Sequence, residues 1–175
     1  FLPAGDYLVS AALTVSSNNV CIFGDGHWAS KLVRASGTYN MISVTGDFFR
    51  VENLEIDGGA TTSGAGVYTD FGASEITVNN LYIHNIGPGV KVVDSHAHIT
   101  NNRIDTTQAS GVSIGDVAST TEFIWVENNY INSCHLSLTG GQACIQVAAS
   151  ATTEQYIWIK NNYINVGAGG VGIGP

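Results

Sequence analysis

The chain has 175 residues, 44% of them apolar and 11% charged, and it carries a net charge of −8 with only 6 Lys and Arg. That length suffices for one domain, and the lack of clustered basic charge argues against nucleic acid or an anionic membrane surface as a partner. No apolar run approaches the roughly 20 residues that cross a bilayer, so membrane insertion is not expected, whereas an anionic polysaccharide held by a local Arg, Lys or metal stays compatible.

The sequence begins at Phe1 rather than Met and shows no secretory leader, so it reads as processed or excised. Residues 1–22 hold three short β-prone runs, Tyr7-Val9, Leu13-Val15 and Val20-Ile22, separated by Pro3-Ala4-Gly5-Asp6 and Ser16-Ser17-Asn18-Asn19. Gly24-Asp25-Gly26 is a turn and not a phosphate loop, because no helix follows to supply an N-terminal dipole. Lys31-Leu32-Val33-Arg34 and Met41-Ile42-Ser43-Val44 come next, and no window carries a helical period. Of the three Cys, Cys134 and Cys144 flank one loop and are candidates for a disulfide that leaves Cys21 free.

From residue 48 a repeat takes over. Val51-Glu52-Asn53-Leu54-Glu55-Ile56-Asp57 returns with its pattern intact from Val78, Ile99, Val126 and Ile159, at intervals of 27, 21, 27 and 33 residues. Such a unit, with variable insertions between copies, marks a solenoid. Each copy reads as three strands. The first contains Arg50, Thr77, His98, Trp125 or Trp158, and the second ends near the repeated Ile. The third contains Tyr68, Lys91, Ser113, Gln146 or Gly172. The third-position Asn makes the corner, since Asn tolerates left-handed backbone at low cost. Asn102, Asn129 and Asn162 are expected to form an internal hydrogen-bonded ladder with no catalytic role.

Three strands per turn, each pairing with its equivalent one turn away, predict an all-β, right-handed single-stranded parallel β-helix of five to six turns over residues 1–175. The Asn-cornered repeat, with Phe1-Leu2-Pro3-Ala4-Gly5-Asp6-Tyr7-Leu8-Val9 and Val20-Cys21-Ile22-Phe23-Gly24-Asp25-Gly26, resembles the pectate-lyase-like right-handed β-helix superfamily across essentially the whole chain. Members of that superfamily include secreted polysaccharide lyases, glycoside hydrolases, epimerases and bacteriophage tailspikes. The resemblance therefore implies an extracellular or virion-surface protein that handles polysaccharide. In the superfamily a helix usually caps the column before the opening motif. No such cap is visible here, so the chain reads as a segment of a longer protein or a subunit of an assembly.

Register turns each motif position into an outward column. The fifth and seventh positions bring Glu55, Asp57, His84, Arg103 and Asp105 into one patch. Asp57 and Asp105 should have Cα atoms about 9–10 Å apart, which allows their carboxyls the roughly 6.5–9.5 Å of an inverting glycosidase. In that reading Asp57 and Asp105 are acid and base, His84 tunes them, and Glu55 and Arg103 contact substrate. The bland alternative is a solvated polar ladder.

The third-strand column offers Tyr68 and Lys91, a cation and base suited to a lyase, with Asp70, Asp94 and Asp116 just beyond it. Asp70 and Asp94 are candidate Ca²⁺ ligands. The clustered calcium-binding acids of pectate lyases and the Asn-Thr-Asp, Asp-Asp and Gly-His-Gly elements of polygalacturonases are absent, so no cofactor is assigned and the resemblance leaves the activity open. The loop 133–143 adds His135. Trp125 and Trp158, with Tyr130 and Tyr163 around the corner, read as a subunit contact, a sugar platform or a self-stacked ladder. His96 and His98 lack an evident third metal ligand.

Two function classes are carried forward. One is a carbohydrate-recognising segment of a phage tailspike or fibre, homotrimeric, that binds and cleaves or only binds a bacterial surface polysaccharide. The other is the core of a monomeric secreted polysaccharide lyase or glycoside hydrolase. A structural solenoid without catalysis is the third alternative.

Overall fold

Strands of three to six residues, each bounded by turn-forming residues, leave every strand dependent on the turn above and below for its hydrogen bonds. A computed structural model describes residues 1–93, 96–115, 121–134, 143–148, 155–166 and 171–174. Among them the chain forms 20 strands and no helix.

The strands sort into three parallel sheets. The first holds β1 (Gly5–Val9), β4 (Ser30–Arg34), β7 (Glu55–Asp57), β10 (Tyr82–His84), β13 (Arg103–Asp105), β16 (Tyr130–Cys134) and β19 (Tyr163–Val166). The second holds β2 (Leu13–Val15), β5 (Ile42–Val44), β8 (Val67–Thr69), β11 (Val90–Val92), β14 (Val112–Ile114), β17 (Ala143–Val147) and β20 (Val171–Gly174). The third holds β3 (Cys21–Phe23), β6 (Arg50–Glu52), β9 (Ile76–Asn79), β12 (Ala97–Thr100), β15 (Glu122–Glu127) and β18 (Gln155–Lys160). Each strand pairs with the one three elements later, which is the wiring of a parallel β-helix. The strands make six complete turns and begin a seventh. Residues 1–44 belong to the same coil and supply β1 to β5, which the Asn repeat does not mark.

The core is a set of ladders of like residues. Ile56, Ile83, Ile104 and Ile131 stand in register in the first sheet, and all four are fully buried. Val51, Val78, Ile99 and Val126 do the same in the third. Burying one such side chain stabilises the fold by roughly 1.5–3 kcal/mol. Gly89 allows the close approach this packing needs, because a Cβ there would lie 2.6 Å from both Gly111 O and Ile104 Cγ2.

The corner Asn residues take left-handed backbone as the repeat predicts, with φ of 58°, 52°, 58°, 58° and 55° at Asn53, Asn80, Asn101, Asn128 and Asn161. One position further on, the expected internal ladder is present. Asn102 Nδ2 donates to Asn129 Oδ1 at 3.0 Å, and Asn129 Nδ2 donates to Asn162 Oδ1 at 3.0 Å. Their second amide protons go to Val78 O and Ile99 O. A further set of left-handed residues lies just before or near the start of the third-sheet strands: Phe48, Glu75 and His96 before β6, β9 and β12, and Phe123 and Tyr156 at the second residue of β15 and β18. Of these residue types only His is enriched there, and Phe, Glu and Tyr ordinarily avoid it.

Cys134 and Cys144 form a disulfide with Cα atoms 5.5 Å apart, and Cys21 is free and exposed. One register differs from the sequence reading. Gln146 lies opposite Gly174, not Gly172, because β20 is displaced by two residues. Side chains alternate with period two, so a two-residue slip keeps every side chain on its own face and pattern alone cannot detect it.

Candidate functional site

The outer face of the first sheet is built by two columns. One runs Asp6, Lys31, Glu55, Tyr82, Arg103, Tyr130 and Tyr163. The other runs Asp57, His84, Asp105, Asn132 and Asn165. Strand alternation points these residues away from the Ile ladder, so the charged groups collect outside while their backbones stay locked in the sheet.

At the centre Glu55 Oε1 accepts from Lys31 Nζ at 2.9 Å and from His84 Nε2 at 2.9 Å. Lys31 Nζ also reaches Asp57 Oδ2 at 3.1 Å. Asp57 Oδ1 accepts the Gly59 amide at 3.1 Å and Asn85 Nδ2 at 3.2 Å. Asn85 Nδ2 donates as well to His84 Nδ1 at 2.8 Å, while Thr106 Oγ1 donates to Asn85 Oδ1 at 3.0 Å. The Thr106 hydroxyl thus orients the Asn85 amide, and that amide assigns His84 the tautomer with its proton on Nε2. Tyr82 stacks on the His84 ring with centroids 4.4 Å apart.

Asp105, one strand beyond His84, accepts from Asn132 Nδ2 at 2.8 Å and from Arg103 at 3.4 Å. Although these positions face outward, Glu55, His84 and Asp105 are only 7%, 9% and 8% exposed. The alternative of a fully solvated polar ladder does not describe these three residues, although Arg103 beside them is exposed and Asp57 half-buried.

Burial pushes the Asp57 carboxyl upward, but the Gly59 amide, Asn85 and Lys31 outweigh it and hold Asp57 below the usual carboxylate range. The Glu55 bond raises the Lys31 ammonium above its ordinary value against an opposing effect of burial, and Asp57 adds to the rise. Burial, with Asp105 nearby, raises the Tyr82 phenol. Glu55, Asp57 and His84 present ligand atoms within 4.8 Å of one another, a spacing that suits a metal ion. Lys31 already supplies a positive charge to both carboxylates at that point.

Two residues of this face escaped the sequence reading, Lys31 and Trp28. The segment before β4 carries a Gly24-Asp25-Gly26 turn in place of the Asn corner, so its place in the coil was not apparent. The available signal was Lys31-Leu32-Val33, which alternates as Glu55-Ile56-Asp57 does. Trp28 reaches across from the start of β4 to Tyr82, with ring centroids 4.9 Å apart, and its ring lies 5.9 Å from the Arg103 guanidinium carbon. Arg103 also sits 5.0 Å from the Tyr82 ring and 5.8 Å from that of Tyr130.

The other candidates lie on other sheets. Tyr68 and Lys91 are register partners in the second sheet, with Lys91 Nζ 5.7 Å from the Tyr68 ring centre. Asp70 accepts from the Phe71 amide and from the Tyr68 hydroxyl. Asp94, Asp116 and His135 lie outside the described residues. Trp125 and Trp158 are partners in the third sheet, stacked at 4.7 Å and 11° beneath a His98 that stacks on Trp125 at 4.3 Å. Phe123 stacks between His96 and Tyr156 alongside them, each contact at 4.8 Å. Rings stacked this way cover one another's faces and turn their edges to solvent, so the ladder holds itself and offers few ring faces to a sugar.

No protein-family model and no curated protein matches the chain. Similar folds occur among solved structures. The catalytic domain of a GH87 α-1,3-glucanase, in complex with tetrasaccharides, aligns with 91% of this chain at 18% identity and a TM-score of 0.62. The ORF18 protein of Geobacillus virus E2 aligns with 93% at 14% identity and a TM-score of 0.61. The enzymatically active domain of tailspike protein 2 from bacteriophage CBA120 aligns with 97% at 16% identity and a TM-score of 0.58. The chain spans 34%, 40% and 32% of those three proteins, and at such identities the likeness is one of fold.

Proposed function

We propose that this chain is a carbohydrate-active β-helix, part of a virion-surface tailspike or fibre, that binds and hydrolyses a bacterial surface polysaccharide on the outer face of its first sheet. The observation that carries this reading is the single network joining Lys31, Glu55, Asp57 and His84, with Asp105 one strand further on. Assignment to the pectate-lyase-like superfamily and a trimeric state belong to the same reading. A monomer in sedimentation equilibrium would remove the trimer.

Glycosidic bonds are hydrolysed by two carboxyls, one donating a proton to the leaving oxygen and one activating water across the sugar. Asp57, held ionised by Lys31, Asn85 and the Gly59 amide, suits the water-activating role. Asp105 is two strands away, about 9–10 Å between Cα atoms, and takes the acid role. Both nitrogens of His84 are engaged, so it positions Glu55 and separates the pair rather than exchanging protons with substrate. The neighbours that carry a glucanase or tailspike name support the substrate class through their shared fold.

The test is release of new reducing ends from bacterial surface polysaccharides and neutral glucans. Wild-type chain is compared with Asp57→Asn, Asp105→Asn and Lys91→Met. The reading predicts a loss of about 10²–10⁴-fold in the two Asp variants and retained turnover in Lys91→Met. Turnover untouched in both Asp variants would discard the acid pair and move attention to Lys91 and Tyr68.

A further inference from the structure

We infer that Trp28 is the sugar-stacking residue of the first-sheet face, and that the ring it holds is a neutral hexose rather than a uronate. The inference rests on the reading of that face as a glycan site. Trp28 is 66% exposed although its ring already touches Tyr82 and lies near Arg103. His27 adds an edge contact with centroids 5.2 Å apart. With the residue 66% exposed, most of the indole surface remains open to solvent. In the third-sheet ladder, by contrast, ring faces are covered by other rings at 4.3–4.8 Å.

The mounting of Trp28 is firm. Its turn is closed by the Ala29 and Ser30 amides, both donating to Gly26 O at 3.0 Å. Ser30 Oγ is buried and donates to Leu2 O at 2.7 Å while accepting the Asp25 amide at 2.9 Å. A tryptophan held in one orientation presents a large amphipathic surface with little entropy left to lose on binding, which favours a flat, hydroxyl-rimmed ligand such as a pyranose. The indole reaches over β7 to Tyr82 of β10 and Arg103 of β13, so a ring stacked on it lies at the outer face of the first sheet.

Charge decides the class of sugar. Leaving out Asp105, the proposed acid, the face carries three carboxylates, Asp6, Glu55 and Asp57, against two cations, Lys31 and Arg103. Lys31 is bound to Glu55 and Asp57, and Arg103 lies 3.4 Å from Asp105. A uronate carboxylate entering here would meet excess negative charge, with both cations already engaged, whereas a neutral sugar carries no such cost.

The experiment is an array of neutral and uronate-containing oligosaccharides, followed by titration of the best neutral binder against wild type, Trp28→Ala and Trp28→Tyr. Neutral glycans should bind, Trp28→Ala should weaken binding at least about tenfold, and Trp28→Tyr should restore most of it. The urea midpoint of Trp28→Ala should stay near wild type, since the side chain is largely exposed. Binding within about twofold of wild type in Trp28→Ala, below the loss expected of an aromatic anchor, would overturn the Trp28 assignment and leave the glycan reading standing. Binding restricted to uronates would overturn the neutral class. A wild-type chain that binds no glycan on the array would remove the glycan reading itself.

Discussion

His84 Nε2 donates to Glu55 Oε1 at 2.9 Å, and the same oxygen accepts Lys31 Nζ at 2.9 Å. One carboxylate oxygen therefore ties three successive strands of the first sheet together on its outer face. Removing the cation while leaving the acids should be worse than neutralising one acid. Lys31→Met should destabilise the fold by on the order of 1–3 kcal/mol, because two poorly hydrated carboxylates lose their shared donor. Glu55→Gln, which keeps an acceptor for both donors, should cost less. Urea unfolding midpoints of the two variants would check the order, and equal losses would contradict it.

Titration should show the same network. The Asp57 carboxyl is depressed in the folded state, so its contribution is present above its unfolded value of about 3.9 and is lost as pH falls through its lower folded value. Lys31 is raised, so its contribution is full below about pH 10.4 and is lost as pH rises through its folded value. Tyr82 is also raised and shares the alkaline limb. Stability measured against pH should therefore lose less on acidification in Asp57→Asn than in wild type. An unchanged acid limb in that variant would show that Asp57 is not held by these partners.

Asn129 supplies an acceptor to the Asn102 amide and side chain, and a donor to Ile99 O, from a nearly fully buried position. Asn129→Ala would strand all three groups, at a cost of about 1–3 kcal/mol for each group left unsatisfied. A loss of at least about 3 kcal/mol in thermal or urea unfolding is expected. A near-neutral result would mean that the ladder adds little to stability.

Gly89 has no room for a methyl group, with Gly111 O and Ile104 Cγ2 each 2.6 Å from where its Cβ would sit. Gly89→Ala should separate β11 from the Ile ladder and destabilise by roughly 1–3 kcal/mol, the range for overpacked cores. The readout is the melting midpoint, with Gly172→Ala, where a Cβ would come no closer than 3.9 Å to a neighbour, as the comparison for general backbone effects. Equal midpoints would contradict the close packing.

The coil, its core and its internal Asn ladder were legible because they repeat. Five copies set the register, and the register alone brings Asp57, His84 and Asp105 to neighbouring strands. What did not repeat was hidden. Lys31 and Trp28 follow a Gly-rich turn without the Asn corner, and Trp28 acts by reaching over two strands, which no local pattern encodes. The burial of Glu55 and Asp105 likewise depends on side chains from other turns. Left-handed backbone at Phe123 and Tyr156 is unpredictable from residues that ordinarily avoid it.

Hydroxyl-radical footprinting of the chain with and without a bound neutral oligosaccharide tests the central claim most directly. The account predicts protection at Trp28, Tyr82 and Tyr130 on the first sheet, with Tyr68, Trp125 and Trp158 unchanged. Protection centred on Tyr68, or on Trp125 and Trp158, with Trp28 left as reactive as before, would contradict it.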